Sequence, residues 1–292
     1  MSTKFINWSI FILLCFIWGS SFILMKKSVE GLTAWQIAAL RIFSASVVFI
    51  PFAVRHIRKI PKKKINIVLL AGFFGNLIPA FLFAAAIVNM HSSLAGILNS
   101  LTPLCVVMLG VSFFKDKIKA QKIIGVLVGF AGVCLLTVTQ EKVSLDNLGY
   151  ASLIILATLS YGINVNLVSH YLKGINGVQV ASVSLMFMFI PTLFILWMEG
   201  FFQLDFSNSI IQRSVGASLI LGIVGSAVAT ALFYILVQKA GGLFASLVTY
   251  GIPFVALFWG FLDGEEITVV EMACLGIILI GVYLTNRPEK KT

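Results

Sequence analysis

Charged residues are scarce in this sequence. Only 11% of its 292 residues are charged, whereas 59% are hydrophobic. A soluble domain of this length needs more polar surface than that composition supplies. The apolar residues form blocks of about 20 residues, the length of a helix that crosses roughly 30 Å of hydrocarbon. We therefore predict an all-α integral membrane protein with ten transmembrane helices, at 8–25, 34–54, 65–88, 93–114, 122–139, 149–171, 177–198, 214–238, 243–262 and 268–286.

Acidic residues are missing from the centres of these blocks. Glu199 and Glu271 lie near block ends. Proton relays in membranes typically use central carboxylates, so we do not expect coupling through a central carboxylate. The HExxH, GxSxG and GxxxxGK motifs of hydrolases and nucleotide-binding enzymes are also absent. We therefore expect no catalytic residue, no cofactor and no enzymatic activity. A polytopic lipid-modifying enzyme is the least favoured alternative.

The four cysteines show no pattern of disulfide or metal chemistry. Cys15, Cys105, Cys134 and Cys274 all fall inside apolar blocks, and the sequence contains no CxxC pair. Small buried packing residues explain this pattern. We expect neither a disulfide framework nor a metal site.

The basic residues are distributed as a membrane topology requires. With the N-terminus in the cytoplasm, the basic cluster at 55–64 is also cytoplasmic, and the outer loops carry only Lys26, Lys27, Lys142 and Arg213. This bias is the positive-inside signature, and it explains the net charge of +10 without a nucleic-acid partner. We predict a multi-pass protein of the cell membrane, here a bacterial inner membrane, with both termini cytoplasmic. The first block lacks a small-residue cleavage site, so we expect a retained helix and not a signal peptide.

The sequence repeats itself. Shifting it by 150 residues places Gly72, Gly75, Leu82, Phe83, Ala95, Pro103 and Gly110 on Gly222, Gly225, Leu232, Phe233, Ala245, Pro253 and Gly260. A shift of 143 places Trp18, Gly19, Gly31 and Gln36 on Tyr161, Gly162, Gly174 and Gln179. Each copy holds five blocks, an odd number, so the second copy crosses the membrane inverted. We predict one repeat at 1–140, a second at 147–287 and a tail at 288–292, with a site near the midplane that can face either side.

Prolines lie inside several apolar blocks. Pro103 and Pro253 occupy matching positions, and Pro79 lies in the third block. A proline inside a helix leaves the carbonyl four residues earlier without its donor. We predict helix breaks there, either as packing kinks or as kinks that also line a site.

Polar residues near the midplane recur at matched positions in the two copies. Ser21 pairs with Asn164 and Asn76 with Ser226, while Ser226, Thr230 and Tyr234 form one helical stripe. Such groups line a shared cavity or form hydrogen bonds between helices. We predict a central cavity that binds a small-molecule substrate through Trp18, Ser21, Phe22, Arg41, Asn76, Phe83, Asn99, Tyr161, Asn164, Ser226, Thr230, Tyr234, Thr249 and Tyr250.

Arg41 is the one basic residue well inside a block. It lies about 10 Å below the outer interface, counted from residue 34. A buried guanidinium favours a bidentate anionic partner such as a substrate carboxylate or phosphate. The alternative is that the side chain reaches outward to the interface or bonds to helix carbonyls.

Small residues also mark a helix contact. Gly125 and Gly129 form a GxxxG pattern, and Gly276 and Gly281 lie in the last block. We expect these residues to pack helices within one chain more than between chains. The expected partners are therefore membrane lipids and substrate, in a monomer or a weak homodimer.

Several motifs together resemble the drug/metabolite transporter superfamily, close to its EamA type. They are WGSSF at 18–22, LRIF at 40–43, SSLAGILNSLTPL at 92–104, GVLVGFAGV at 125–133 and FASLVTYGIPF at 244–254. The resemblance implies ten helices in two inverted five-helix repeats, with the fifth and tenth peripheral to a central cavity. It also implies export of amino acids, metabolites or drug-like compounds. The first copy departs from the family pattern, with FFKDK at 113–117 where relatives carry leucine-glycine-glutamate.

The function predicted from these observations is export of small organic solutes by alternating access. A membrane channel or facilitator is the main alternative. Paired helix breaks around a symmetric cavity favour the transporter.

Overall fold

The computed structural model describes residues 3–87, 95, 98–140, 148–262 and 268–287. Every long regular element in these ranges is a helix. In the first repeat they are α1 (Thr3–Ser28), α2 (Ala34–His56), α3 (Ile65–Gly72), α4 (Ile78–Ile87), α5 (Thr102–Phe114) and α6 (Ala120–Gln140). In the second they are α7 (Leu148–Tyr171), α8 (Gly177–Met186), α9 (Phe189–Met198), α10 (Ser209–Gly222), α11 (Ala229–Ala240), α12 (Gly242–Ser246), α13 (Val248–Leu262) and α14 (Val269–Asn286).

The helices confirm the prediction of an all-α membrane protein. Within the described ranges, nine helical stretches are long and apolar enough to cross a membrane, and α5 is a shorter apolar helix. Residues 93, 94, 96 and 97 of the block predicted at 93–114 lie outside the described residues, and α5 is short because a turn at Ser100 and Leu101 precedes it. Together the stretches form two inverted repeats of five spans each.

Helix starts are set by side-chain caps at matched places. The Thr33 hydroxyl accepts from the backbone N–H of Gln36, whose side chain accepts in turn from the Thr33 N–H. Its repeat counterpart, Asn176, caps α8 by accepting from Val178 N–H. Such caps stabilise a helix by about 1 kcal/mol. They fix where the second span of each repeat begins.

A π-helical turn interrupts the third span of each repeat. Phe73–Leu77 joins α3 to α4, and Ile223–Val228 joins α10 to α11. Turns of this kind often occur at functional sites, because they redirect backbone carbonyls away from the regular helical ladder. Pro79 follows the first turn, whereas Ala229 follows the second. The π turn is therefore a property of the repeat and does not require the proline.

Two of the three predicted breaks lie next to irregular backbone. Pro79 is the second residue of α4, two residues after the end of the π turn, and Pro103 is the second residue of α5, after a turn at Ser100 and Leu101. The break expected at Pro253 is not there. Helix α13 runs through Pro253, and its span is interrupted earlier, at Leu247.

Packing explains why α13 stays continuous. A Cβ on Gly19 of α1 would lie 2.6 Å from Val255 Cβ, and Gly251 of α13 approaches Cys15 as closely. These contacts hold α13 against α1 on both sides of the proline. A break that we did not expect separates α8 from α9 at Phe187 and Met188. It lies four residues before Pro191, whose missing N–H leaves the Phe187 carbonyl without a helical donor.

Glycines bring the two repeats into direct contact. A Cβ on Gly75 would lie 2.6 Å from the Asn164 side chain, and one on Gly225 would lie 3.2 Å from Ser21 Oγ. These two contacts are repeat counterparts of each other. The third span of each copy therefore crosses the first span of the other copy at the π turn.

Glycines also mark a second pair of helix crossings between the two repeats. Gly72 packs on the Ser184 carbonyl, 2.6 Å from a built Cβ, and its counterpart Gly222 packs on the Arg41 carbonyl. Arg41 and Ser184 are themselves repeat counterparts. The third span of each copy thus also crosses the second span of the other, and the core sits between these crossings.

The fifth and tenth spans, α6 and α14, form a separate pair. A Cβ on Gly125 would lie 2.6 Å from Thr285 N, and one on Gly132 would lie 2.9 Å from Ile278 N. Gly281 faces the backbone of Gly129 at a similarly short range. The GxxxG pattern therefore packs two helices of one chain against each other.

We expect Gly281→Ala to destabilise the protein, because the new methyl would meet the Gly129 backbone. Overpacking of this kind costs about 1–3 kcal/mol. Gly276→Ala is the matched control, since Gly276 lies on the same helix with nothing within 4 Å of a built Cβ. Thermal unfolding in detergent should show a lower midpoint for the first variant only. Equal midpoints would contradict the close α6–α14 contact.

Candidate functional site

A cavity of about 1170 Å³ lies between the two repeats. It runs from the loop between α1 and α2, at Val29 and Thr33, down to Ser246 and Thr249 near the start of α13. Val29 is 52% exposed, so this end meets the surface, whereas the far end is closed by buried residues such as Tyr234. The structure therefore has one open mouth and one sealed floor.

Most of the predicted binding residues line this cavity. They are Trp18, Ser21, Arg41, Asn76, Phe83, Asn99, Tyr161, Asn164, Thr230, Tyr234 and Thr249, with Pro79 beside them. Their convergence follows from the helix crossings, because the π turns place the third spans against the first spans of the opposite repeat.

Four predicted residues do not reach the cavity wall. Tyr250 is fully buried, and its hydroxyl donates to the Val126 carbonyl at 2.8 Å, which ties α13 to α6. Ser226 lies behind Arg41, and Pro103 and Pro253 pack away from the wall. The side chain of Phe22 lies outside the described residues. Helical spacing alone could not distinguish a cavity face from a buried face on these helices.

Arg41 is anchored to the second π turn. Its Nε donates to Ser226 Oγ at 2.6 Å, and one terminal nitrogen lies 3.4 Å from the Gly225 carbonyl. Trp18 Nε1 donates to the same carbonyl at 3.0 Å. The guanidinium is thus held by neutral groups while it borders the cavity. The sequence suggested that Arg41 either awaits an anionic partner or bonds to helix carbonyls. In the structure Arg41 borders the cavity and also bonds to the Gly225 carbonyl.

Two aromatic pairs form opposite walls. The ring centroids of Trp18 and Phe233 are 5.4 Å apart, and those of Tyr161 and Phe83 are 6.3 Å apart. Trp18 corresponds to Tyr161 in the repeat, and Phe233 corresponds to Phe83. Sequence reasoning selected three of these residues and missed Phe233, although the 150-residue shift aligned it with Phe83. The cavity therefore carries matched aromatic surfaces from both repeats.

The floor is a polar network around Tyr234. Its hydroxyl is 3.0 Å from Asn164 Oδ1 and 3.2 Å from the Ala71 carbonyl, so it bridges α11, α7 and α3. Thr230 Oγ1 donates to Asn76 Oδ1 at 3.0 Å. Gly177 packs on the backbone of Tyr234 and Ile235, 2.6 Å from a built Cβ to Ile235 N. These contacts close the cavity at this end.

Two amide atoms of residues that line the cavity lack a hydrogen-bond partner among the described residues. Asn76 Nδ2 and Asn99 Oδ1 are buried and make no hydrogen bond with the described residues. Buried polar groups are nearly always bonded, so an unpartnered donor and acceptor in a binding cavity call for an explanation. A bound solute that accepts from Asn76 and donates to Asn99 would supply it.

A second polar cluster lies outside the cavity, at the same end as the floor. His170 Nε2 is 2.9 Å from Asp116 Oδ1, which joins α7 to the segment after α5. Asn166 Nδ2 donates to the Val106 carbonyl at 3.1 Å and reinforces that junction. The cluster strengthens the packing below the floor. Within the described residues, no group of three His, Cys, Asp or Glu side chains is placed to hold a metal.

Comparison with known proteins assigns the chain to a protein family. The EamA-like transporter family model matches residues 7–138 and 148–287. The chain belongs to the EamA-like transporter family. It is 25% identical to an uncharacterized transporter of Archaeoglobus fulgidus, over 96% of this chain and 99% of that protein.

Other relatives agree with this family. The uncharacterized inner membrane transporter YedA of Escherichia coli K12 is 24% identical, over 92% of this chain and 87% of YedA. The WAT1-related protein At3g02690 of Arabidopsis thaliana, a chloroplastic protein, is 25% identical over 98% of this chain and 70% of its own length. One crystal structure has the same fold, with a TM-score of 0.73 at 15% identity, and covers 98% of this chain and 97% of that one. This family member is thus a multi-pass membrane transporter.

We expect Tyr234→Phe to destabilise the protein by about 1 kcal/mol, because a buried hydroxyl that bridges three helices is lost. Tyr283→Phe is the matched control, since Tyr283 is 62% exposed on α14. Chemical or thermal unfolding of both variants in the same detergent measures the difference. A Tyr234→Phe protein as stable as the control would mean that the hydroxyl does not hold the floor.

Proposed function

We propose that the protein is a secondary transporter that exports small organic solutes from the cell by alternating access. The observation that carries the proposal is the cavity between inverted repeats, with its mouth at one end and the Tyr234 floor at the other. Inverted repeats provide two related conformations around one central site. The described conformation would be the one that releases solute.

Charge supports the orientation. The end opposite the mouth carries an exposed basic cluster that includes Arg58, Lys62 and Lys63. Basic loops remain on the cytoplasmic side of a membrane. The mouth would then face outward, with both termini in the cytoplasm.

The wall chemistry favours an amphipathic solute with an acidic group. Aromatic rings from both repeats offer contact for an apolar body, and amides offer polar contacts for orientation. Arg41 is positively charged, and no Asp or Glu occurs among the described residues that line the cavity. A carboxylate would pair with the guanidinium, whereas an organic cation would be repelled by it.

Counterflow tests the transporter against the channel. Candidate solutes can be found as metabolites whose levels differ between cells with and without the protein. In proteoliposomes, unlabelled solute inside should accelerate entry of the labelled solute, because a sealed floor allows only one open side at a time. Large unitary currents in a planar bilayer, or uptake without saturation, would favour the channel.

Arg41 variants test the acidic group. Arg41→Lys keeps the charge but loses the planar fork, so carboxylate transport should weaken. Arg41→Gln should weaken it further, by about 1.5–3 kcal/mol in apparent affinity if one charge-assisted bond is lost. The control is a neutral analogue of the same solute, for which both variants should differ little from wild type. Unchanged affinity for the carboxylate in both variants would remove the preference.

A further inference from the structure

The repeat relates four residues of the sealed floor to four residues of the open cavity. Tyr234 corresponds to Ala84, Asn164 to Ser21, Ala71 to Leu221, and Gly177 to Ala34. The floor residues touch one another, as described above. Their four counterparts, Ala34, Ser21, Ala84 and Leu221, all border the open cavity. The floor residues are thus in contact, whereas the four corresponding residues at the mouth line open space.

The floor and the mouth differ in which helix carries the large polar side chain. At the floor, Tyr234 extends from α11 to the Ala71 carbonyl, and the small Ser184 of α8 packs on the adjacent Gly72. At the mouth, the residue on α4 is the small Ala84, and the residue on α2 is the large Arg41. The pair Tyr234 and Ser184 is therefore replaced by Ala84 and Arg41, with the large member on the opposite helix.

We propose, on the basis of the transport function above, that Arg41 forms the outer seal of this transporter and that an anion in the cavity drives its closure. When the mouth closes, Arg41 packs against Ala84 and fills the place that Tyr234 fills at the floor. The same side chain thus binds the acidic solute and closes the cavity over it.

The charge of Arg41 makes this seal different from the floor. Tyr234 is neutral, so the floor closes at no electrostatic cost. At the mouth the large residue is Arg41, whose guanidinium in this structure bonds to the neutral groups of Ser226 and Gly225. Burying a charge without an opposite partner is strongly unfavourable in a membrane. The empty protein therefore rests with its mouth open, and it returns inward mainly with an anion bound, as an exchanger.

Cysteine labelling tests this seal without a known substrate. The background has its four native cysteines replaced, and Ala80→Cys places a thiol on the α4 cavity wall below Ala84. A membrane-impermeant thiol reagent is applied to intact cells. Val29→Cys, at the exposed rim, is the matched reporter that should label in either state. Its labelling from outside also checks the orientation.

In the parent background we expect fast labelling of Ala80→Cys, because the empty protein is open. Arg41→Gln removes the cost of burying the charge, so the closed state should become populated and labelling should slow by ~5-fold or more. Arg41→Lys keeps the charge and should label at the parent rate. Val29→Cys should label equally in all three backgrounds, which shows that each variant is folded and inserted.

A double variant tests the exchange of large and small residues directly. Arg41→Ser with Ala84→Tyr places the floor pair at the mouth. We expect a neutral seal to form there, with Ala80→Cys protected although no solute is present. Parent-rate labelling in both this variant and Arg41→Gln would overturn the proposal. Equal protection in Arg41→Lys would also overturn it, because shape and not charge would then control closure.

Transport assays separate this proposal from the function on which it rests. Wild-type efflux of an acidic solute should be accelerated by the same solute outside, whereas Arg41→Gln should lose that acceleration. Counterflow in wild type, combined with unchanged labelling in the variants, would reject the seal and keep the transporter. Absence of any counterflow would reject the transporter itself.

Discussion

The close approach of helices at matched glycines is the constraint on which the rest of this structure depends. Gly72 and Gly75 leave no room for a side chain against α8 and α7, Gly222 leaves none against α2, and Gly225 lies close to Ser21 of α1. Because membrane helices gain little from hydrophobic burial against each other, such van der Waals contact determines their arrangement. The crossings interleave the two repeats and place one cavity between them.

The π turns give these crossings their chemistry. At the second turn the Gly225 carbonyl receives Trp18 and borders Arg41, so a polar backbone group becomes available deep in an apolar medium. Irregular backbone at this depth is stable only where protein or a wet cavity satisfies it. The same geometry in the first repeat positions Asn76. The matched π turns of the two repeats thus present different side chains to the cavity.

Sequence reasoning located the helices and most of the cavity residues. Apolar length is a strong signal in membranes, and the repeat identified Trp18, Tyr161, Ser21 and Asn164 as related positions. It failed for Tyr250, whose hydroxyl bonds to Val126 in place of lining the cavity. It also placed a break at Pro253, where packing against α1 keeps α13 continuous. In both cases a contact between distant segments decided the outcome.

The sequence by itself determined the span count, the inverted repeat and the family, because hydrophobic length and internal periodicity are local properties of the chain. Only the tertiary structure decided which polar helix face lines the cavity. Arg41 borders the cavity because Gly222 brings α10 against α2, the helix that carries Arg41. Tyr234 lies at the floor because its hydroxyl contacts Ala71 and Asn164. These contacts join residues that are far apart in the sequence, and helical spacing within one span contains no information about them.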